Sequence, residues 1–150
     1  MKNLKVTILA FCFVIIGCEN ASETAISVPN VQVGCTTGDS GDCDSGNVNT
    51  PTAFVVMTRS GCSESSIQFD PVATGSSTMS CDTDGCDVTI SSWTNPGTSE
   101  PVTEILTGTM DVCSRVDLDG SGSSTPTTGD LVNDSSRSIS SGATITVDSW

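Results

Sequence analysis

The segment TMDVCSRVDL, residues 109–118, carries the clearest strand pattern in the chain, because apolar and other residues alternate along it. The apolar set is Met110, Val112, Val116 and Leu118, and the opposite set is Asp111, Cys113, Arg115 and Asp117. Successive side chains of a strand point to opposite faces of its sheet. We therefore expect the apolar set to face a core and Cys113 to point outward, so that its disulfide runs to a neighbouring strand or a covering loop.

Other segments have the same two-residue period or a short apolar run. The expected elements are an edge strand or bulge at 26–33 with Pro29 and Asn30 at the break, a buried central strand at Ala53–Thr58, a strand at Ser66–Asp70 with Ile67 and Phe69 inward, a hairpin around the Asp-Gly turn at 84–85, and a terminal strand at 143–148. About a third of the chain after residue 17 is serine or threonine, a composition typical of strands and turns. The sequence predicts an all-β fold, a β-sandwich with immunoglobulin-like layering and about seven short strands, with an open barrel as the alternative.

The first residues have the pattern of an export signal. Lys2 and Lys5 precede a run of about a dozen mostly apolar residues, whereas a membrane-spanning helix needs about 20. The apolar run ends within the segment ILAFCFVIIGCENAS, residues 8–22. The IIGC part of this segment, residues 15–18, resembles the lipobox of bacterial lipoproteins. The resemblance implies that Cys18 becomes the N-terminus and carries a diacylglyceryl group and an N-acyl chain of the palmitate type. An ordinary signal peptide, cleaved near Ala21 or Ser22, is the alternative.

This interpretation divides the chain into three parts. Residues 1–17 are the signal peptide, residues 18–25 are a short polar tether, and residues 26–150 are the exported domain. The protein is then expected at the bacterial outer membrane or cell surface.

Six cysteines follow Cys18, and an even number in an exported chain predicts three disulfides. They are Cys35, Cys43, Cys62, Cys81, Cys86 and Cys113. A zinc site is the alternative, but histidine is absent and no two cysteines have the Cys-x-x-Cys spacing. Among the open pairings we favour Cys35–Cys43, Cys81–Cys86 and Cys62–Cys113, because the first two close short loops rich in turn residues.

The charge of the exported part disfavours a nucleic acid partner. Three arginines remain against 18 acidic residues, a net charge of about −15. Phosphate neutralisation needs clusters of lysine and arginine, which this part of the sequence lacks.

Two short motifs resemble protease signatures without the residues that their chemistry requires. The GDSG segment at 38–41 resembles the nucleophile segment of chymotrypsin-like proteases. The chain has no histidine to activate Ser40, however, and no lysine after the signal peptide. The two DSG segments, at Asp39 and Asp44, resemble aspartic protease motifs but lie in one polar loop. We therefore expect no enzyme, with a hydrolase that uses carboxylates alone as the alternative.

The segment DLDGSGSSTPTT, residues 117–128, resembles the first half of an EF-hand calcium loop. Asp117, Asp119 and Ser121 occupy its first three ligand positions, whereas Thr128 stands where the bidentate glutamate belongs. The resemblance implies a structural calcium ion, and an ordinary exposed turn is the alternative.

These features together predict a membrane-anchored lipoprotein that binds a protein or glycan ligand. A fibre subunit that donates the strand at residues 26–33 to a neighbouring subunit is the structural alternative.

Overall fold

The computed structural model describes residues 23–36, 43, 51–123, 125–126, 129–140 and 142–150. The fold of this part of the chain is all-β, as the sequence predicts, with a single short helix, α1 (Glu64–Phe69). The strands are β1 (Ala25–Ser27), β2 (Val31–Thr36), β3 (Thr52–Thr58), β4 (Pro71–Thr78), β5 (Ser80–Cys81), β6 (Gly85–Ile90), β7 (Glu104–Leu106), β8 (Gly108–Asp117), β9 (Leu131–Ile139) and β10 (Ile145–Val147).

The strands form two four-stranded sheets and one two-stranded sheet. The first four-stranded sheet has the order β10-β2-β6-β5, and the second has the order β4-β3-β8-β9. The remaining pair is β1 with β7. All pairs of neighbouring strands are antiparallel except β10 and β2, which run parallel.

One hydrophobic core draws side chains from both four-stranded sheets. Val33 of β2 and Ile90 of β6 contribute to it from the first sheet, and Val55 of β3 and Val112 of β8 contribute from the second. Buried positions alternate with exposed or half-buried ones along most of β2 and β3, which explains why Val33 and Val55 face inward. The prediction that residues 53–58 form a central strand is confirmed, since β3 lies between β4 and β8.

Gly75 of β4 permits close contact between the sheets. A Cβ at this position would lie 2.6 Å from Ile90 Cγ2 and 3.0 Å from both the Ser92 carbonyl oxygen and Trp93 Cε3. These distances are shorter than packed atoms tolerate, so only glycine fits here without movement of its neighbours.

The strand predicted at residues 66–70 is wrong, because these residues lie in and just after α1. Its first turn begins at Ser63, whose carbonyl accepts a hydrogen bond from the Ile67 amide at 3.0 Å and whose hydroxyl lies 2.6 Å from that of Ser66. Two apolar residues at a spacing of two are too few to fix a strand period, and serine-rich sequence readily forms such local hydrogen bonds.

The edge strand or bulge predicted for residues 26–33 is also corrected. Pro29 separates β1 from β2, and these two strands belong to different sheets. The Val28 amide bonds to the Thr103 carbonyl at 3.1 Å, and the chain then enters the interior of the first four-stranded sheet. Proline, which has no amide hydrogen, is tolerated here because no strand passes through it.

The hairpin and the terminal strand are confirmed. Cys81 and Cys86 are directly opposite each other in β5 and β6, with the Asp-Gly turn between them. Ile145 and Val147 of β10 are buried, as the alternation predicts.

The outward face predicted for β8 is corrected, because Cys113, Arg115 and Asp117 are buried. The segment that contains Cys62 covers this face through the Cys62–Cys113 disulfide, which confirms the expected bridge to a covering loop. The loop after β8 covers the rest, since Ser123 accepts a hydrogen bond from Arg115 and the Gly122 amide donates to Asp117.

Candidate functional site

A groove of about 900 Å³ lies on the face of the second four-stranded sheet that points away from the shared core. Phe54, Val56 and Arg115 lie on its floor, while Ile67 of α1 and Asn95 of the segment after β6 belong to its walls. The floor is therefore part of a rigid sheet and the walls are a helix and a loop, an arrangement common in ligand-binding sites.

Strand register brings the floor residues together. Two rows of neighbouring residues cross β4, β3, β8 and β9 in that order. One row is Ser76, Phe54, Arg115 and Val132, and the other is Thr74, Val56, Cys113 and Asp134. Residues on one face of adjacent strands stand next to each other, so this face combines hydroxyl, aromatic, aliphatic and charged groups.

Arg115 is the most unusual residue of the groove, because it is charged and only 4% exposed. Its Nη2 atom lies 3.2 Å from Asp130 Oδ2 and also donates a hydrogen bond to the Ser123 carbonyl. Its guanidinium carbon is 5.5 Å from the centre of the Phe54 ring, a cation–π contact. Within the described residues, Nε and Nη1 of Arg115 are buried and have no hydrogen-bond partner.

Unpartnered buried donors are costly, and buried polar groups in proteins are nearly always hydrogen-bonded. A guanidinium group has five N–H donors, and the described contacts of Arg115 occupy only its Nη2 side. Among the described residues, Nε and Nη1 of Arg115 are therefore two donor atoms at the floor of the groove that lack an acceptor.

The β9 side of the groove is acidic. Partial burial raises the pKa of the Asp134 carboxyl group, and the nearby Asp111 carboxylate raises it further by repulsion. Asp111 itself accepts a hydrogen bond from the Ser136 hydroxyl. Asp70 also lines the groove, whereas the charge of Arg115 is offset by Asp130, so the groove carries a net negative charge.

The predicted calcium ligands lie beside this site. Oxygen atoms of Asp117 and Asp119 come within 4.8 Å of each other and of Asp130, which the sequence analysis did not identify. The Ser121 hydroxyl lies 3.4 Å from Asp117 Oδ1 and donates to it. Clustered carboxylate and hydroxyl oxygens are the ligands that calcium prefers.

Hydrogen bonds within the loop satisfy part of this cluster without a metal. The Gly122 amide donates to Asp117 Oδ2 at 2.7 Å, and the Ser121 amide donates to Asp119 Oδ1 at 2.8 Å. The cation of Arg115 is paired with Asp130 at the same place. Asp117, Asp119 and Asp130 fit a calcium site with two or three carboxylate ligands, and they also fit a turn that is held by its own hydrogen bonds.

The acidic turn between Cys81 and Cys86 has an ordinary structural role. Asp82 Oδ1 accepts hydrogen bonds from the amides of Asp84 and Gly85 at 2.8 and 3.2 Å.

The three cysteine pairs are those that the sequence analysis favours. Their Cα–Cα distances are 5.9 Å for Cys35–Cys43, 5.5 Å for Cys62–Cys113 and 3.9 Å for Cys81–Cys86. The Cys62–Cys113 pair lines the groove next to Asp134 and ties the segment before α1 to the floor.

Several predicted residues lie outside the described part of the chain. They are Cys18, Asp39, Ser40, Asp44 and Thr128. Within the described residues, no helix has the length and apolar character that crossing a membrane requires.

The groove is not predicted by the sequence, although Phe54 and Arg115 each lie in a predicted strand. The available signal for the groove was Arg115, an arginine on the face of a strand opposite to its apolar residues. The helix and the loop that form the walls of the groove could not be predicted from a two-residue period.

Comparisons with known proteins give no further assignment. No family model, no curated protein and no solved structure matches the chain.

Proposed function

We propose that this chain is a bacterial surface lipoprotein whose exported β domain binds a protein or glycan ligand and does not transform it. Cys18 is the anchor, modified with a diacylglyceryl group and an N-acyl chain, which places the domain at the outer membrane or cell surface. The sequence at residues 15–18 supports the anchor, and the three disulfides support an oxidising compartment outside the cytoplasm. More than one acyl chain is needed for durable membrane attachment.

The observation that carries the binding role is the groove above Phe54 and Arg115. It joins an aromatic ring, a buried cation with unpartnered donors and two carboxylates in one concave site of about 900 Å³. A ligand that satisfied the donors would offset a cost that the protein otherwise bears. Buried donors without partners are found at binding sites more often than in parts of a fold that are selected for stability alone.

We assign the two four-stranded sheets to the layers of a β-sandwich with immunoglobulin-like layering. The shared core and the close contact of Gly75 with Ile90 and Trp93 support this arrangement. The two-stranded sheet of β1 and β7 then closes one side, where Arg59 donates to the Leu106 carbonyl at 2.9 Å.

The fibre alternative is less well supported. Val31 and Val33 of the segment that would be donated are fully buried, and β2 pairs with both β6 and β10. Removing β2 would split its own sheet in two, whereas donated strands add to an edge.

A carboxylate-based hydrolase is the second candidate function, and one observation favours it. Asp134 has a raised pKa in a groove that also contains Asp70, and a proton-donating carboxyl paired with a second carboxylate is the arrangement used in glycoside hydrolysis. The two functions are separated by whether a bound oligosaccharide is cleaved.

Metabolic labelling with an alkyne fatty acid tests the anchor. The wild-type protein and a Cys12→Ala variant should both be labelled and found in the membrane fraction, because Cys12 lies inside the leader. Cys18→Ala should be unlabelled. An unlabelled wild-type protein in the soluble fraction would contradict the anchor.

A further inference from the structure

We propose that the groove binds a neutral polysaccharide segment, with a sugar ring packed on Phe54 and sugar oxygens bonded to Nε and Nη1 of Arg115. The inference rests on the proposed binding function and names the chemical class of its ligand. It follows from the charges and hydrogen-bonding groups of the groove, considered in turn.

An anionic ligand fits the groove poorly. The charge of Arg115 is offset by Asp130 at 3.2 Å, whereas Asp70 and Asp134 line the groove without a basic residue among the other described lining residues. The pKa of Asp134 is already raised by burial and by Asp111, and a further negative charge would add repulsion.

A cationic ligand would pair with the carboxylates but would leave the floor unsatisfied. Nε and Nη1 of Arg115 are donors, and an ammonium or guanidinium group offers only more donors. The group that satisfies them must supply acceptor oxygens without a negative charge.

A neutral sugar satisfies both conditions. Each of its hydroxyl groups both donates and accepts, so it can donate to Asp134 and accept from Arg115 at the same time. Further partners of the same kind are the side-chain amide of Gln68 on the α1 wall and the hydroxyls of Thr74 and Ser76 on the β4 part of the floor. The apolar C–H face of a sugar ring can pack on the aromatic ring of Phe54, which is half-buried and so partly open to the groove.

Binding requires a small movement at the floor, because Nε and Nη1 of Arg115 are fully covered without a ligand. Phe54 lies against the guanidinium group at 5.5 Å and is held by only two side-chain torsions. A rotation of this ring that uncovers the two donors and presents its face to the sugar is therefore part of the proposal. The volume of about 900 Å³ admits several sugar units, so the ligand is an oligosaccharide or a stretch of polysaccharide.

Isothermal titration of the full-length protein, recovered from whichever cell fraction contains it, tests the inference. The probes are neutral hexasaccharides of glucose, mannose, galactose, xylose and N-acetylglucosamine in their common linkages, with hexalysine and a galacturonate hexamer as charged controls. We expect at least one neutral probe to bind and the galacturonate hexamer not to bind.

Two variants locate the binding in the groove, and each has a matched control. Phe54→Ala should weaken binding about tenfold or more through loss of the ring contact, whereas Leu106→Ala, at an exposed apolar residue outside the groove, should bind normally. Gln68→Ala should weaken binding by a smaller factor, whereas Gln32→Ala, on exposed β2 surface, should not. Urea unfolding of each variant checks that the fold is retained.

The possible outcomes separate the inference from the proposed function. Binding of hexalysine alone, lost in Asp134→Asn, would overturn the sugar assignment and keep the groove as a binding site. Cleavage of a bound hexasaccharide would keep the sugar assignment and replace the binding role by hydrolysis. Binding of no probe, or binding that Phe54→Ala leaves unchanged, would overturn the inference.

Discussion

Removal of the Cys62–Cys113 disulfide is the perturbation whose effect the structure specifies best. The two cysteines are 51 residues apart in sequence, and their bridge ties the segment before α1 across the outer face of β8. The chain-entropy model gives a stabilisation of about 4 kcal/mol for a loop of this length. The double variant Cys62→Ala/Cys113→Ala is therefore expected to lose about that much free energy of unfolding.

The Cys81–Cys86 disulfide provides the matched control. It spans only 5 residues inside one hairpin, so the same model gives about 2 kcal/mol. Each variant replaces two cysteines by two alanines. The difference between their free energies of unfolding therefore measures the effect of loop length and of what each loop covers.

Urea unfolding followed by tryptophan fluorescence measures both free energies. Cys113 and Cys86 are both buried, so each variant also leaves a small cavity, and this contribution is similar in the two variants. The reasoning is refuted if the long-bridge variant loses no more stability than the hairpin variant. That result would mean that the segment holding α1 does not depend on its covalent tie to β8.

Three further predictions concern single residues. Gly75→Ala should lower the free energy of unfolding by about 1–3 kcal/mol through overlap with Ile90, whereas Gly34→Ala, whose added Cβ would have its nearest neighbour at 4.0 Å, should change it little in the same urea assay. Because the pKa of Asp134 is raised in the folded state, the native protein binds this proton more tightly and loses stability as the pH rises through the titration. Asp134→Asn should therefore raise the free energy of unfolding at neutral pH and should not raise it well below pH 3.8, the ordinary pKa of an aspartate side chain. An equal effect at both pH values would contradict this. Millimolar calcium should raise the Tm by about 4 °C per kcal/mol of binding free energy and should fail to do so in Asp119→Asn, while an unchanged Tm in the wild type would rule out the site.

The sequence predicted features that depend on neighbours in the chain. The hairpin between Cys81 and Cys86 has its turn residues and its bridge within six residues, and the central strand at 53–58 is a continuous apolar run. The pairing of Cys62 with Cys113 could be predicted because the other four cysteines formed two short loops.

Features that depend on tertiary contacts could not be predicted in this way. Strands β4 (Pro71–Thr78) and β9 (Leu131–Ile139) are largely small and polar because they are the edges of their sheet, and such strands lack an apolar period. Arg115 reads as an exposed residue in any alternation analysis. The loop that follows β8 contributes to its burial, since the Ser123 carbonyl accepts a hydrogen bond from Arg115. The groove itself exists only where α1 and the segment after β6 enclose the sheet.

The intact mass of the mature protein, measured without reduction, tests the central claim most directly. A lipid-anchored, disulfide-stapled domain predicts the mass of residues 18–150 plus a diacylglyceryl group and an N-acyl chain, less six hydrogens for three disulfides. A chain that begins after Cys18 without lipid, or one that retains six free thiols, would contradict the account.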